Sequence, residues 1–179
     1  MCIRDRSTST VDISNFYLCS RPSYIQLNNL TVECGQLNLA PGASVTVSGF
    51  SINNAGDELG VYNNSTFGSP AGLFDYVIFG NRQGPSRETV AVSAGLWTLG
   101  NRAPAIPVSQ SLNKNTSVTG VNAFLTGTST ICGNTGGPVS NIGQIQISEI
   151  ASTGYIELTN TSTSTVAVSY THLTLPTKA

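Results

Sequence analysis

Glu149 and Glu157 sit on two short runs of alternating apolar residues, Ile145/Ile147 and Ile156/Leu158. Two carboxylates flanking a bond are the equipment of glycoside hydrolysis, one as acid and the other as base or nucleophile. Nothing around these two shapes a substrate cleft, so they read as edge carboxylates that accept backbone or hydroxyl hydrogen bonds, or face water. Asp12, Asp57, Glu58 and Asp75 are oxygen donors of the kind that hold Ca²⁺ in loops of extracellular sandwiches. They lack Asp-x-Asp-x-Asp spacing and are scattered, which favours solvated turn residues; Asp57, Glu58 and Asp75 stay as the candidate metal ligands. Asp57, following Gly56, suits an Asx-type turn ahead of Leu59. Trp97, between Leu96 and Leu99, is the candidate ligand-binding residue, because an indole stacks on sugar rings; the same side chain also plugs cores and rims. Tyr17, Tyr24 and Tyr62 alternate with apolar neighbours and read as half-buried strand positions.

Other chemistry is excluded by missing partners. Serines are abundant, but no Gly-x-Ser-x-Gly elbow accompanies them. Gly133-Asn134-Thr135-Gly136-Gly137 has neither a lysine nor a following helical pattern, so it is no phosphate loop. Asn-x-Ser/Thr triplets at Asn29, Asn63, Asn64, Asn115 and Asn160 are expected by chance in so Ser/Thr-rich a chain. No cofactor is implied.

The elements that would position these residues follow a period of two. Alternating runs occur at Val11/Ile13, Tyr24–Leu27, Leu37/Leu39, Val45/Val47, Leu59/Val61, Tyr76–Phe79, Val90/Val92, Ile145/Ile147 and Ile156/Leu158. Turn signals separate them, among them Ala40-Pro41-Gly42-Ala43, where Pro41 sets the first central angle and Gly42 accepts the positive φ of a type II turn. No amphipathic helix stands out. The pattern predicts an all-β, antiparallel sandwich or barrel. Residues 101–143 are small, polar and punctuated, and read as loop with one or two irregular strands, or as a linker.

Both ends carry an odd signature. Met1-Cys2-Ile3-Arg4-Asp5-Arg6 back-translates to the end of a transposon adaptor used in preparing sequencing libraries, and Val168–Leu173 to its reverse complement. The expectation is that residues 1–6 and 168–179 are adaptor-encoded and that 7–167 is a slice of a longer reading frame. Without those ends the chain has no histidine or methionine, which removes imidazole bases and ligands. Arg21, Arg82, Arg87, Arg102 and Lys114 face eight acids, a net charge of −3 with no basic run, which argues against nucleic acid as a partner. No stretch is long and apolar enough to span a membrane. Low charge with Ser, Thr and Asn richness fits secreted β-proteins. Cys19, Cys34 and Cys132 are an odd set from which no disulfide framework can be read, and a small buried apolar role for at least one of them is as good a reading as a bridge.

Ser7-Thr8-Ser9-Thr10-Val11 reappears as Ser162-Thr163-Ser164-Thr165-Val166, which suggests one repeat body (7–100) followed, after the 101–143 stretch, by the first two strands of the next (144–167). In repeat order the chain reads Ile147-Ser148-Glu149-Ile150, Tyr155-Ile156-Glu157-Leu158-Thr159-Asn160, Val11-Asp12-Ile13-Ser14-Asn15-Phe16-Tyr17-Leu18, Leu39-Ala40-Pro41-Gly42, Gly56-Asp57-Glu58-Leu59-Gly60-Val61-Tyr62 and Phe74-Asp75-Tyr76-Val77-Ile78-Phe79-Gly80. This order resembles the lamin-tail domain, with Asn15-Phe16 where Gly-Trp is usual, and the likeness is lost beyond about Asn101. The resemblance implies an immunoglobulin-like sandwich without catalytic residues. Such a module is a structural, adhesive or binding element of a secreted or cell-surface protein, and its partners are neighbouring modules of the same chain, or a cell-surface polymer or glycan. Alternatives are an accessory domain of an extracellular hydrolase whose active site lies elsewhere, and a carbohydrate-binding module using Trp97. If the slice lacks its own first strands, Gln144–Ile150 and Gly154–Asn160 should fold back into the vacancy as a circular permutant, with Ile145, Ile147, Ile156 and Leu158 facing the core.

Overall fold

A computed structural model describes residues 10–115, 118, 120–130 and 145–160. The adaptor-like ends, most of the Ser-Thr echo, Cys2, Cys132 and the glycine-rich Gly133–Gly137 lie outside the described residues. The strands are β1 (Val11–Asp12), β2 (Tyr17–Ser20), β3 (Ser23–Gln26), β4 (Thr31–Cys34), β5 (Asn38–Leu39), β6 (Ser44–Ser48), β7 (Gly56–Tyr62) and β8 (Leu73–Gly80). After one short helix, α1 (Glu88–Ser93), come β9 (Gln110–Lys114), β10 (Phe124–Thr128), β11 (Ile145–Ala151) and β12 (Ile156–Asn160).

The fold is an all-β sandwich with antiparallel sheets. One sheet has four strands in the order β3-β2-β7-β8, and the other has six in the order β10-β9-β11-β12-β6-β4. A two-stranded ribbon pairs β1 with β5. Leu18, Leu59, Val61 and Val77 from the first sheet and Val45, Val47, Ile147, Ile156 and Leu158 from the second are buried in one continuous core. The alternation seen in the sequence has its cause here, because successive strand residues point to opposite faces.

The C-terminal strands fold back as expected. β11 and β12 lie in the middle of the six-stranded sheet, β12 beside β6 and β11 beside β9. Ile145, Ile147, Ile156 and Leu158 are all fully buried. Parts of the 101–143 stretch are built into the same sheet, since β9 and β10 pair over five positions and β9 pairs with β11.

The four-stranded sheet is covered on its other face too. Asp75 reaches across to the six-stranded sheet, so its neighbour Tyr76 points away from it. There Tyr76 meets Trp97, and the segment carrying α1 packs on β8. That helix is a correction to the strand expected at Val90/Val92. Glu88 and Ala91 are buried while Val92 is 37% exposed. A spacing of three puts Glu88 and Ala91 on one helical face, and tertiary anchoring of that face outweighs the β preference of two valines.

Turn chemistry follows the residues. The Ala43 N–H donates to the Ala40 carbonyl at 2.9 Å and Gly42 sits at φ +78°, the type II turn expected before β6. Gly80 ends β8 at φ +58°, where a Cβ would stand 2.1 Å from the Ala55 carbonyl oxygen.

Because β11 and β12 are central, Ile147→Ala and Leu158→Ala are each expected to cost roughly 2–5 kcal/mol in urea unfolding. A chain shortened to end before Ile145 is expected to lose its cooperative transition. A shortened chain with an unchanged midpoint would contradict this architecture.

Candidate functional site

The candidate acids of β7 lie near the start of the strand, in a sheet covered on both faces, and that placement decides their fate. Glu58 is fully buried. One of its oxygens accepts from the Tyr76 hydroxyl and the Arg87 N–H, both at 2.7 Å, and the other from the Arg21 N–H at 3.1 Å. The Arg82 guanidinium stands 3.9 Å away. Asp57 accepts from Ser20 Oγ at 2.5 Å and the Asn53 N–H at 2.9 Å, with Arg82 Nε at 3.7 Å. Neither is a solvated turn residue. The Asx turn expected at Asp57 is made instead by Asn53, whose Oδ1 accepts from the Ala55 N–H. A second one is made by Asp12, whose Oδ1 accepts from the Ser14 N–H.

Asp75 on β8 is also buried. Lys114 Nζ lies 2.8 Å from both of its oxygens, and the Ile147 N–H donates to it at 2.8 Å. One carboxylate therefore ties β8 to β9 and β11 of the opposite sheet. Asp57 and Glu58 are successive residues on opposite faces of their strand, and Asp75 is occupied by an ammonium. Among the described residues no group of three or more His, Cys, Asp or Glu is placed to hold a metal ion.

The glutamates that suggested paired-carboxylate chemistry are directly opposite each other in the β11–β12 register. Both are buried. Glu149 accepts from Ser129 Oγ at 2.9 Å, from the Thr130 N–H at 3.0 Å and from Thr130 Oγ1 at 2.6 Å. Glu157 accepts from Ser148 Oγ at 2.7 Å. These are the hydroxyl and backbone partners expected from the sequence, although on central strands rather than at an edge.

Trp97 is 5% exposed. Its ring packs edge-on against Tyr76 and tilted against Phe124, and Nε1 donates to the Asn101 carbonyl at 3.2 Å. No indole face is left for a sugar, so the ligand-binding reading of Trp97 is corrected to a core role. Tyr17, Tyr24 and Tyr62 do converge, around a residue the sequence did not single out. Phe67 stacks on Tyr24 at 4.3 Å and meets Tyr17 and Tyr62 edge-on. Arg87 extends the stack, 5.5 Å above the Tyr24 ring, with its Nη2 donating to the Tyr24 hydroxyl. A lone phenylalanine in a Ser/Gly/Thr loop was the available signal.

Glu88 was also missed. Arg102 holds it bidentately at 2.6 and 3.1 Å, and the Gly100 N–H donates to it at 2.8 Å. Burial alone would raise its pKa; the Arg102 and Gly100 hydrogen bonds and the Arg102 charge outweigh it and hold the carboxyl below its ordinary value. Cys19 is a buried free thiol. Burial first, then the Glu58 charge, pushes its pKa up to about 12, so it is inert at neutral pH. Cys34 is disulfide-bonded.

No family model, curated protein or solved structure matches the chain.

Asp75→Asn leaves Lys114 buried without its counter-charge and is expected to cost about 3–5 kcal/mol in chemical denaturation. The Glu88–Arg102 pair gives a pH signature. A carboxyl with a lowered folded pKa stabilises fully above its unfolded value of about 4.3, and that stability is lost as pH falls through the folded value. Glu88→Gln is therefore expected to destabilise the protein at neutral pH and to bring it level with wild type in strong acid, read from urea midpoints across the acid range.

Proposed function

We propose that this chain is a non-catalytic module, an immunoglobulin-like sandwich of lamin-tail type, acting as a structural or adhesive element of a larger secreted or cell-surface protein. The observation that carries the reading is the internal engagement of its carboxylates. Glu58, Asp75 and Glu149 each accept from three donors of their own chain, Asp75 from the Tyr76 N–H as well as from Lys114 and Ile147. A general acid or base must be free to exchange a proton with a substrate group within hydrogen-bond reach; these groups would have to break fold-stabilising bonds first.

Two further features support it. The Cys34 disulfide fits an oxidising compartment, where such bonds persist. The motifs of the lamin-tail resemblance also coincide with single structural features: Pro41-Gly42 in the turn before β6, Gly56–Tyr62 as β7, Asp75–Gly80 within β8 and Ile156–Asn160 as β12. On this reading β11 and β12 stand in for the opening strands of the module, a circular permutation of one repeat. The partners are adjoining modules of the parent chain, or a cell-surface polymer or glycan.

The test pairs sedimentation on insoluble envelope and plant polysaccharides with turnover of chromogenic glycosides. The expected result is no turnover, with Glu149→Gln and Glu157→Gln changing only the melting temperature. Hydrolysis abolished by Glu149→Gln without loss of folding would overturn the proposal.

A further inference from the structure

A sandwich has four outer strand edges, and three of those in this fold carry a device that blocks pairing with another strand. β4 has a register shift between Val32 and Cys34 and the charged Glu33 at that point. β3 is only four residues long and starts directly after Pro22, which has no N–H to donate. The last residues of the β8 edge are taken by its own chain, with Gly80 donating to the Ala103 carbonyl and Ala103 donating to that of Ile78. Bulges, charges, prolines, shortness and covering chain are the usual means of protecting an edge.

Among the described residues β10 shows no bulge, charge, proline or covering strand. Phe124-Leu125-Thr126-Gly127-Thr128 carries no charge and no proline, and pairs with β9 over five positions without a register shift. Leu125 is 63% exposed. The two residues that follow the strand, Ser129 and Thr130, hydrogen-bond through their side chains to Glu149 on β11. Among the described residues nothing pairs with the outer side of β10.

Two hydrogen bonds fix which backbone groups point outward. The Asn115 N–H donates to the Ala123 carbonyl, and the Ser152 N–H to that of Gln110. By strand alternation, Leu125 and Gly127 then bond inward to β9, while Phe124, Thr126 and Thr128 present their groups to the open side. The Phe124 N–H is already bound to the Val121 carbonyl.

We propose that β10 is a homodimerisation edge, pairing antiparallel with β10 of a second copy about a two-fold axis at Thr126. The strand is complementary to itself when reversed. The two Thr126 residues exchange N–H···O bonds at the axis, and each Thr128 N–H meets the unused Phe124 carbonyl of the other copy. Leu125 falls opposite Gly127, in a non-hydrogen-bonded pair with Cα atoms about 4.5 Å apart. The exposed leucine thus covers the strand's one missing side chain. With no charge on the strand, self-pairing brings no like charges together, whereas a charged peptide would find nothing complementary here. The contact is isologous and closes at two copies.

Sedimentation equilibrium of the full chain is expected to show a reversible dimer. Thr126→Pro removes the donor at the axis and leaves the ladder to β9 intact, so it should weaken association at least about tenfold with little change in melting temperature. Leu125→Lys, at an exposed site that cannot disturb the core, should do the same and more strongly at low salt. Amide exchange at Thr126 and Thr128 should slow as protein concentration rises. A monomer at millimolar concentration, a dimer indifferent to both substitutions, or exchange independent of concentration would each overturn the proposal.

Discussion

The two sheets are held in one relative position by Asp75. Its carboxylate is buried, and a buried charge without a partner is among the costliest defects a fold can contain. Lys114 and the Ile147 amide together satisfy it, and they come from β9 and β11, neighbours in the opposite sheet. Hydrophobic side chains alone would let the sheets slide against each other, because apolar contact has no direction. A carboxylate that needs an ammonium on one strand and an N–H on the next has a single placement. The Lys114 ammonium also lies over the ring of Phe124, which packs on Trp97 and through it on Tyr76. Loss of this ionic link would therefore loosen the aromatic layer behind β8 as well as the core.

Much of the architecture was legible because period-two alternation is a local signal. Val45/Val47, Leu59/Val61, Ile145/Ile147 and Ile156/Leu158 announce strands without reference to anything distant. The same holds for Pro41-Gly42, whose turn depends on the φ preferences of two residues. Val90/Val92 misled because its helix depends on Glu88 finding Arg102 and the Gly100 amide, which no window of a few residues contains.

The candidate site was less legible, for a related reason. Asp75 looks like a loop acid until Lys114 and Ile147 are known to be beside it, and these stand 39 and 72 positions away. Glu58 draws on Arg21, Tyr76 and Arg87 from three separate segments. The sequence records that an acid is present; whether water or a distant arginine satisfies it is a property of topology. Trp97 stayed open between core plug and sugar platform for the same reason, since its own neighbours do not tell that Tyr76 and Phe124 will pack on the ring.

The place of β11 and β12 bears on how the molecule is made. Synthesis delivers β4 and β6 early, but the strands that join them to β9 are almost the last of the described residues to emerge. Until then β6 has a vacant flank, and the inner surface of β7 and β8 has little to rest on. A nascent chain would therefore hold a half-sandwich with wet apolar faces from the completion of β8 until Asn160 has cleared the exit tunnel. Such a protein depends on chaperone shelter, or on delayed collapse, far more than one whose sheets are completed in the order they are written.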